Sequence, residues 1–181
     1  IYAVQMTIHY ISPFSLSLNI GAEYNERIAE LSDGWIVLRD YDTLLFPYAC
    51  NLIPKIIKAN PEYELFTCLT NRIGVHLHCV KDMFMEDSIL AHQNKADELR
   101  ERFGTEVMET GIAPGLCMIF HKSLWQRIGG FKQHSITFDR EFSNDAKRLG
   151  ARIGLAKGLY IFHLYRYPHK DAKNHIRHLM K

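Results

Sequence analysis

The stretch "WIVLRDYDTLLFP", Trp35 to Pro47, decides how this chain is read. Trp35 to Leu38 are four apolar residues without polar alternation, the pattern of a central strand covered on both faces. The run then meets Arg39, Asp40, Tyr41 and Asp42 before resuming with Leu44, Leu45 and Phe46. Side chains alternate along a strand, so Asp40 and Asp42 are expected on one side and Tyr41 on the other. Two converging carboxylates repel and are costly to desolvate, which calls for a cation beside them. Oxygen ligands suit a hard ion, Mg²⁺ or Mn²⁺, and such an ion keeps positions open for the phosphate oxygens of a diphosphate. Two ordinary uses compete with that reading: one aspartate capping the helix after Pro47, the other pairing with Arg39.

Working outward, strand-like and helix-like stretches alternate, which predicts an α/β fold. "AVQMTIHYI" (Ala3–Ile11) reads as a strand closed by Ser12-Pro13, and Asn19–Leu31 as a helix with Ile20, Tyr24, Ile28 and Leu31 on one face. Pro47 suits a first helical turn ahead of "YACNLIPKIIKA" (Tyr48–Ala59), which Pro54 is expected to kink or divide. "LFTCL" (Leu65–Leu69) is a buried strand, and Ser88–Gly104 a solvated helix with a serine cap and a glycine stop. "LCMIF" (Leu116–Phe120) is a strand, Lys122–Phe131 a short helix ending in Gly129-Gly130, and Phe138–Gly150 a helix. Two strands joined by a Lys157-Gly158 turn, "ARIGLA" and "LYIFHLY", complete the series. Asp40 and Asp42 thus fall at the end of a strand, where open α/β sheets bind ligands.

Composition bounds the rest. The chain has 181 residues, 47% hydrophobic and 12% aromatic, with a formal net charge of +2, which suits one folded domain and gives no global attraction to nucleic acid. Cys50, Cys68, Cys79 and Cys117 form no CxxC pair and read as core thiols in a reducing compartment. His76, His78 and Cys79 in "GVHLHCV" lack a second partner pair for zinc and are explained by strand alternation. No apolar run spans a bilayer and no signal-peptide order opens the sequence, so a soluble cytoplasmic protein is expected. One domain is expected over residues 1–166, followed by a basic tail, 167–181, read as a solvated terminal helix with peripheral contact to anionic membrane or cover for a diphosphate as its other uses.

"SDGWIVLRDYDTLLF" resembles the strand and DXD motif of the GT-A glycosyltransferases, particularly family 2. "NIGAEYN" is similar to the segment preceding that motif, "GLCMIFHKSLWQRIGGF" to the family's strand, helix and Gly-Gly-Phe turn, and "FDREFSNDAKRLGARIGLAKGLYIFHLYR" to its acidic helix and the following strand pair ending in histidine. The likeness covers about Asn19 to Arg166. It implies a compact GT-A-like, Rossmann-related fold: a single domain with a mixed, mostly parallel sheet flanked by helices. It also implies an inverting, metal-dependent transfer of a sugar from a UDP- or GDP-sugar to a hydroxyl of a glycan, lipid or protein.

By that resemblance, Asp40 and Asp42 hold Mn²⁺ or Mg²⁺ against the donor diphosphate. His163 completes the metal site, a neutral imidazole suiting Mn²⁺ better than Mg²⁺. Asp139 is the general base, with Glu141 as the second candidate; otherwise both simply complement the helix dipole. Ser12 and Pro13 lie against the base and ribose, Asn25 reaches the nucleotide, and Trp125 either stacks on a sugar or packs in the core. Only 39 residues precede Asp40, fewer than the family places before its motif, which leaves the nucleotide open. Two other functions remain: a noncatalytic nucleotide-sugar-binding module, and a nucleotidyl- or phosphoryl-transfer enzyme using the same aspartates.

Overall fold

The computed structural model describes residues 6–14 and 19–164. The first five residues of the sequence and the basic tail lie outside the described residues, as does the expected domain boundary at 166. Elements run β1 (Ile8–Ile11), α1 (Ile20–Glu30), β2 (Trp35–Arg39), β3 (Thr43–Leu45), α2 (Ala49–Ala59), β4 (Leu65–Thr70), α3 (Ile89–Phe103), β5 (Val107–Glu109), β6 (Cys117–His121), α4 (Lys122–Ile128), α5 (Phe138–Arg148) and β7 (Ile153–His163). This is the expected α/β class. The seven-stranded sheet has the order β1-β2-β6-β4-β7-β3, with β5 on β7.

The expectation of a mostly parallel sheet needs correction. Only β1 on β2 is parallel among the pairings whose register is defined; β2 with β6, β4 with β6, and β3 with β7 run antiparallel. Parallel neighbours need a crossover of a dozen or more residues. The chain makes one between β1 and β2 through α1, whereas β6 enters from the loop before Cys117 and lies against its neighbours in the opposite sense.

The described residues form two compact units interleaved in sequence, one of residues 6–14, 19–41, 61–67 and 109–154, the other of residues 42–60, 68–108 and 155–164. The first is built on β2, whose Ile36, Val37 and Leu38 are fully buried. Tyr24 and Ile28 of α1 and Phe138, Phe142 and Ala146 of α5 recur at helical spacing and pack into its core with Phe120 and Phe131. Tyr24, Phe131 and Phe138 meet edge to face at 5.4–5.9 Å, the geometry aromatic quadrupoles favour. In the second unit, α2 buries Ala49, Leu52, Ile53, Ile56 and Ile57, a single apolar stripe. Pro54 leaves α2 one undivided helix. Phe46, Ala96, Leu99, Tyr160 and Phe162 form a further cluster in that unit.

Two turns differ from expectation. β7 is one strand through Lys157-Gly158, not two: a Cβ on Gly158 would stand 2.1 Å from the Gly104 carbonyl oxygen, so this glycine serves close backbone approach and not a turn. His76–His78 form a short 3-10 helix, not a strand. Cys68 and Cys117 are buried as expected, whereas Cys50 is exposed. No helix among the described residues is long and apolar enough to cross a membrane.

Candidate metal centre

β2 ends at Arg39, and Asp40 follows as the chain turns through Tyr41 and Asp42 into β3. The aspartates therefore converge because the chain bends between two strands, not because a strand alternates. The Asp40 backbone N–H donates to Leu116 O at 3.3 Å, and the Tyr24 hydroxyl donates to Asp40 Oδ1 at 3.0 Å. α2 starts at Ala49 with no side-chain cap, so neither aspartate caps it. The Asp42 carbonyl accepts from Leu164 N at 2.9 Å, within the antiparallel pairing that sets Thr43 opposite His163.

That pairing brings His163 Nε2 to 3.5 Å from Asp42 Oδ1, with both side chains mostly buried. The other ring nitrogen, Nδ1, lies 2.6 Å from the Arg72 carbonyl oxygen. A carbonyl can only accept, so Nδ1 carries the proton. The remaining ring nitrogen, Nε2, is thereby directed at the Asp42 carboxylate. Asp40, Asp42 and His163 each offer one ligand atom, and these atoms lie within 4.8 Å of one another. Among the described residues this is the one group of three or more histidine, cysteine or acidic side chains so arranged. Two carboxylates and one imidazole, oriented through an outer hydrogen bond, suit a divalent cation.

The remaining candidates divide. Asp139, in the first turn of α5, accepts from Gly115 N at 2.9 Å through Oδ2 and from Arg140 N at 2.7 Å through Oδ1. Ser143 Oγ accepts from Ala113 N at 3.1 Å, so α5 holds the loop whose Leu116 carbonyl receives the Asp40 N–H. Glu141 has an enclosed Oε2 without a hydrogen-bond partner among the described residues. Ser12 and Pro13 line an open pocket of about 400 Å³ with Ile11, Phe14, Glu23 and Arg27. The exposed rings of Phe14 and Tyr41 meet edge to face at 4.9 Å.

Asn25 is engaged elsewhere: Oδ1 accepts from Trp125 Nε1 and Phe131 N, and Nδ2 donates to Phe131 O. It clamps the Gly-Gly-Phe turn, where a Cβ on Gly130 would lie 2.7 Å from Asn25 Oδ1. The bond to Oδ1 also ties Trp125 to the turn. His78 is fully buried, and burial pushes its imidazole down to about 4.

Sequence reasoning missed Arg72 as a partner of this centre, and it placed Tyr24 only as a core-facing residue and as part of a motif likeness. The signal for Arg72 was present: Thr70, Asn71 and Arg72 close the apolar β4 with polar residues, as Arg39 to Asp42 close β2.

No family model matches the sequence, and no curated protein matches it. A solved structure that does match in fold is the mannosyltransferase PcManGT from Pyrobaculum calidifontis in complex with GDP-Man and Mn²⁺. It superposes with a TM-score of 0.52 at 16% identity, covering 87% of this chain and 39% of that one. The chain thus shares a fold with that structure and spans well under half its length.

Proposed function

We propose that the chain is a metal-dependent glycosyltransferase of the GT-A, family-2-like kind, moving a sugar from a nucleoside-diphosphate donor to an acceptor hydroxyl. The observation that carries this is the Asp40–Asp42–His163 cluster, with His163 oriented by the Arg72 carbonyl so that Nε2 faces Asp42. The three residues fit a divalent ion, Mn²⁺ in preference to Mg²⁺ because one donor is imidazole nitrogen. When bound, the ion offsets the negative charge that gathers on the departing diphosphate. The mannosyltransferase of similar fold is described with GDP-Man and Mn²⁺, which supports a nucleotide-sugar donor for this chain.

On this reading the open pocket at Ser12 and Pro13 takes the nucleoside, with Phe14 in its lining and Tyr41 packed against Phe14. The bond from the anomeric carbon to the diphosphate oxygen breaks while the acceptor oxygen bonds to the opposite face of that carbon. The acceptor proton passes to a carboxylate of the first turn of α5. Asp139 is the base in this account; it already holds the loop that meets Asp40, and each of its oxygens keeps a second lone pair. Glu141, with an enclosed oxygen not otherwise hydrogen-bonded, is its rival. The acceptor class is a glycan, lipid or protein hydroxyl.

The test is nucleoside diphosphate release from a panel of UDP- and GDP-sugars with Mn²⁺, for wild type and Asp42→Ala. Removal of a ligand should lower turnover by at least about 100-fold, about 2.7 kcal/mol of transition-state stabilisation. Equal turnover in both proteins would refute the assignment. Asp139→Asn and Glu141→Gln, measured alongside, identify the base by which one loses turnover while retaining donor binding.

A further inference from the structure

The Arg72 side chain is 3% exposed, a rare state for a guanidinium. Its Nε donates to Phe84 O at 2.7 Å, Nη1 to Leu164 O at 3.2 Å, and Nη2 to Glu86 O at 3.0 Å and Asp87 Oδ1 at 2.5 Å. One carboxylate and three carbonyls therefore answer the buried charge. Leu164 follows His163 in the chain, and the Arg72 carbonyl itself receives the His163 Nδ1 proton. The neighbouring Asn71 Oδ1 accepts the His163 main-chain N–H at 2.8 Å. Asn71 and Arg72 thus grip the end of β7 at three points: the His163 N–H, its ring and the carbonyl that follows.

We propose that Arg72 is the positioning residue of the metal centre. Its guanidinium draws residues 84–87 and the end of β7 onto one plane of donors. This fixes its own carbonyl against His163 Nδ1 and leaves Nε2 aimed at Asp42. The role needs the fork of a guanidinium: four acceptors in different directions exceed the three donors of an ammonium. The inference rests on the proposed function only in requiring a divalent cation at this centre.

The experiment uses the full chain. Mn²⁺ is titrated with free ion followed by electron paramagnetic resonance, and the His163 tautomer is read from side-chain nitrogen–proton correlation spectra without metal. Arg72→Lys should weaken Mn²⁺ binding about 10–100-fold, as loss of an outer-shell partner does, and convert the His163 Nδ1–H form to a mixture of tautomers. A folded Arg72→Lys protein that binds within about twofold of wild type would overturn the proposal. Should that variant fail to fold, Asp87→Asn decides: it keeps the guanidinium and its three carbonyls, is expected to weaken binding at least about threefold, and overturns the proposal if affinity is unchanged. Wild type that takes up no Mn²⁺ is the separate failure of the glycosyltransferase reading, and the tautomer spectra of the variants then decide the role of Arg72 alone.

Discussion

The carboxylate of Asp40 is held from beneath by a phenol. The Tyr24 hydroxyl donates at 3.0 Å, and the Tyr24 ring sits in the aromatic cluster with Phe131 and Phe138, so the donor has little freedom. Tyr24→Phe keeps the ring and removes the donor. It should lower Mn²⁺ affinity about tenfold while costing only about 1 kcal/mol of stability; Mn²⁺ titration and urea unfolding of the same variant separate the two. The aspartates could be found in sequence because two carboxylates after a wholly apolar run have few ordinary uses. Arg72 carried a weaker signal, the polar residues that close β4, and an arginine there reads as a surface residue until tertiary contacts supply its acceptors. The turn contacts of Asn25 were hidden for a related reason: an amide fits a nucleotide or a turn equally well, and only the fold brings Phe131 and Trp125 to it.

Elements with strong periodicity were legible. The apolar run of β2, the serine cap and glycine stop of α3, and the Tyr24 and Ile28 face of α1 follow from side-chain spacing alone. The three-residue strands β3 and β5 are too short to carry a period, and the direction of β6 depends on which neighbours it meets. At Lys157-Gly158 local chemistry favoured a turn, but tertiary contact with the Gly104 carbonyl keeps the strand continuous. Gly158→Ala should therefore destabilise the protein by about 2–3 kcal/mol, since the carbonyl opposite is backbone and cannot step aside. Unfolding in urea measures this, and an unchanged midpoint would contradict the close approach.

For the whole molecule, buried imidazoles set a pH dependence. Burial holds His78 down to about 4, and burial also lowers His92, whose ring nitrogens meet the Tyr160 hydroxyl and Glu86 O. Both are depressed in the folded state, so their contribution is fully present above the ordinary histidine value of 6.5 and is lost as pH falls below it. His78 alone should cost about 2 kcal/mol between about pH 7.5 and 5, measured by urea unfolding; His78→Asn should flatten that part of the profile.

A divalent cation held by Asp40, Asp42 and His163 would be visible in the anomalous scattering of crystals grown with Mn²⁺ and GDP. One strong peak is expected, with His163 Nε2 and an oxygen of each aspartate at about 2.0–2.2 Å and diphosphate oxygens completing the shell. A manganese peak elsewhere, or none while GDP is bound, would contradict it.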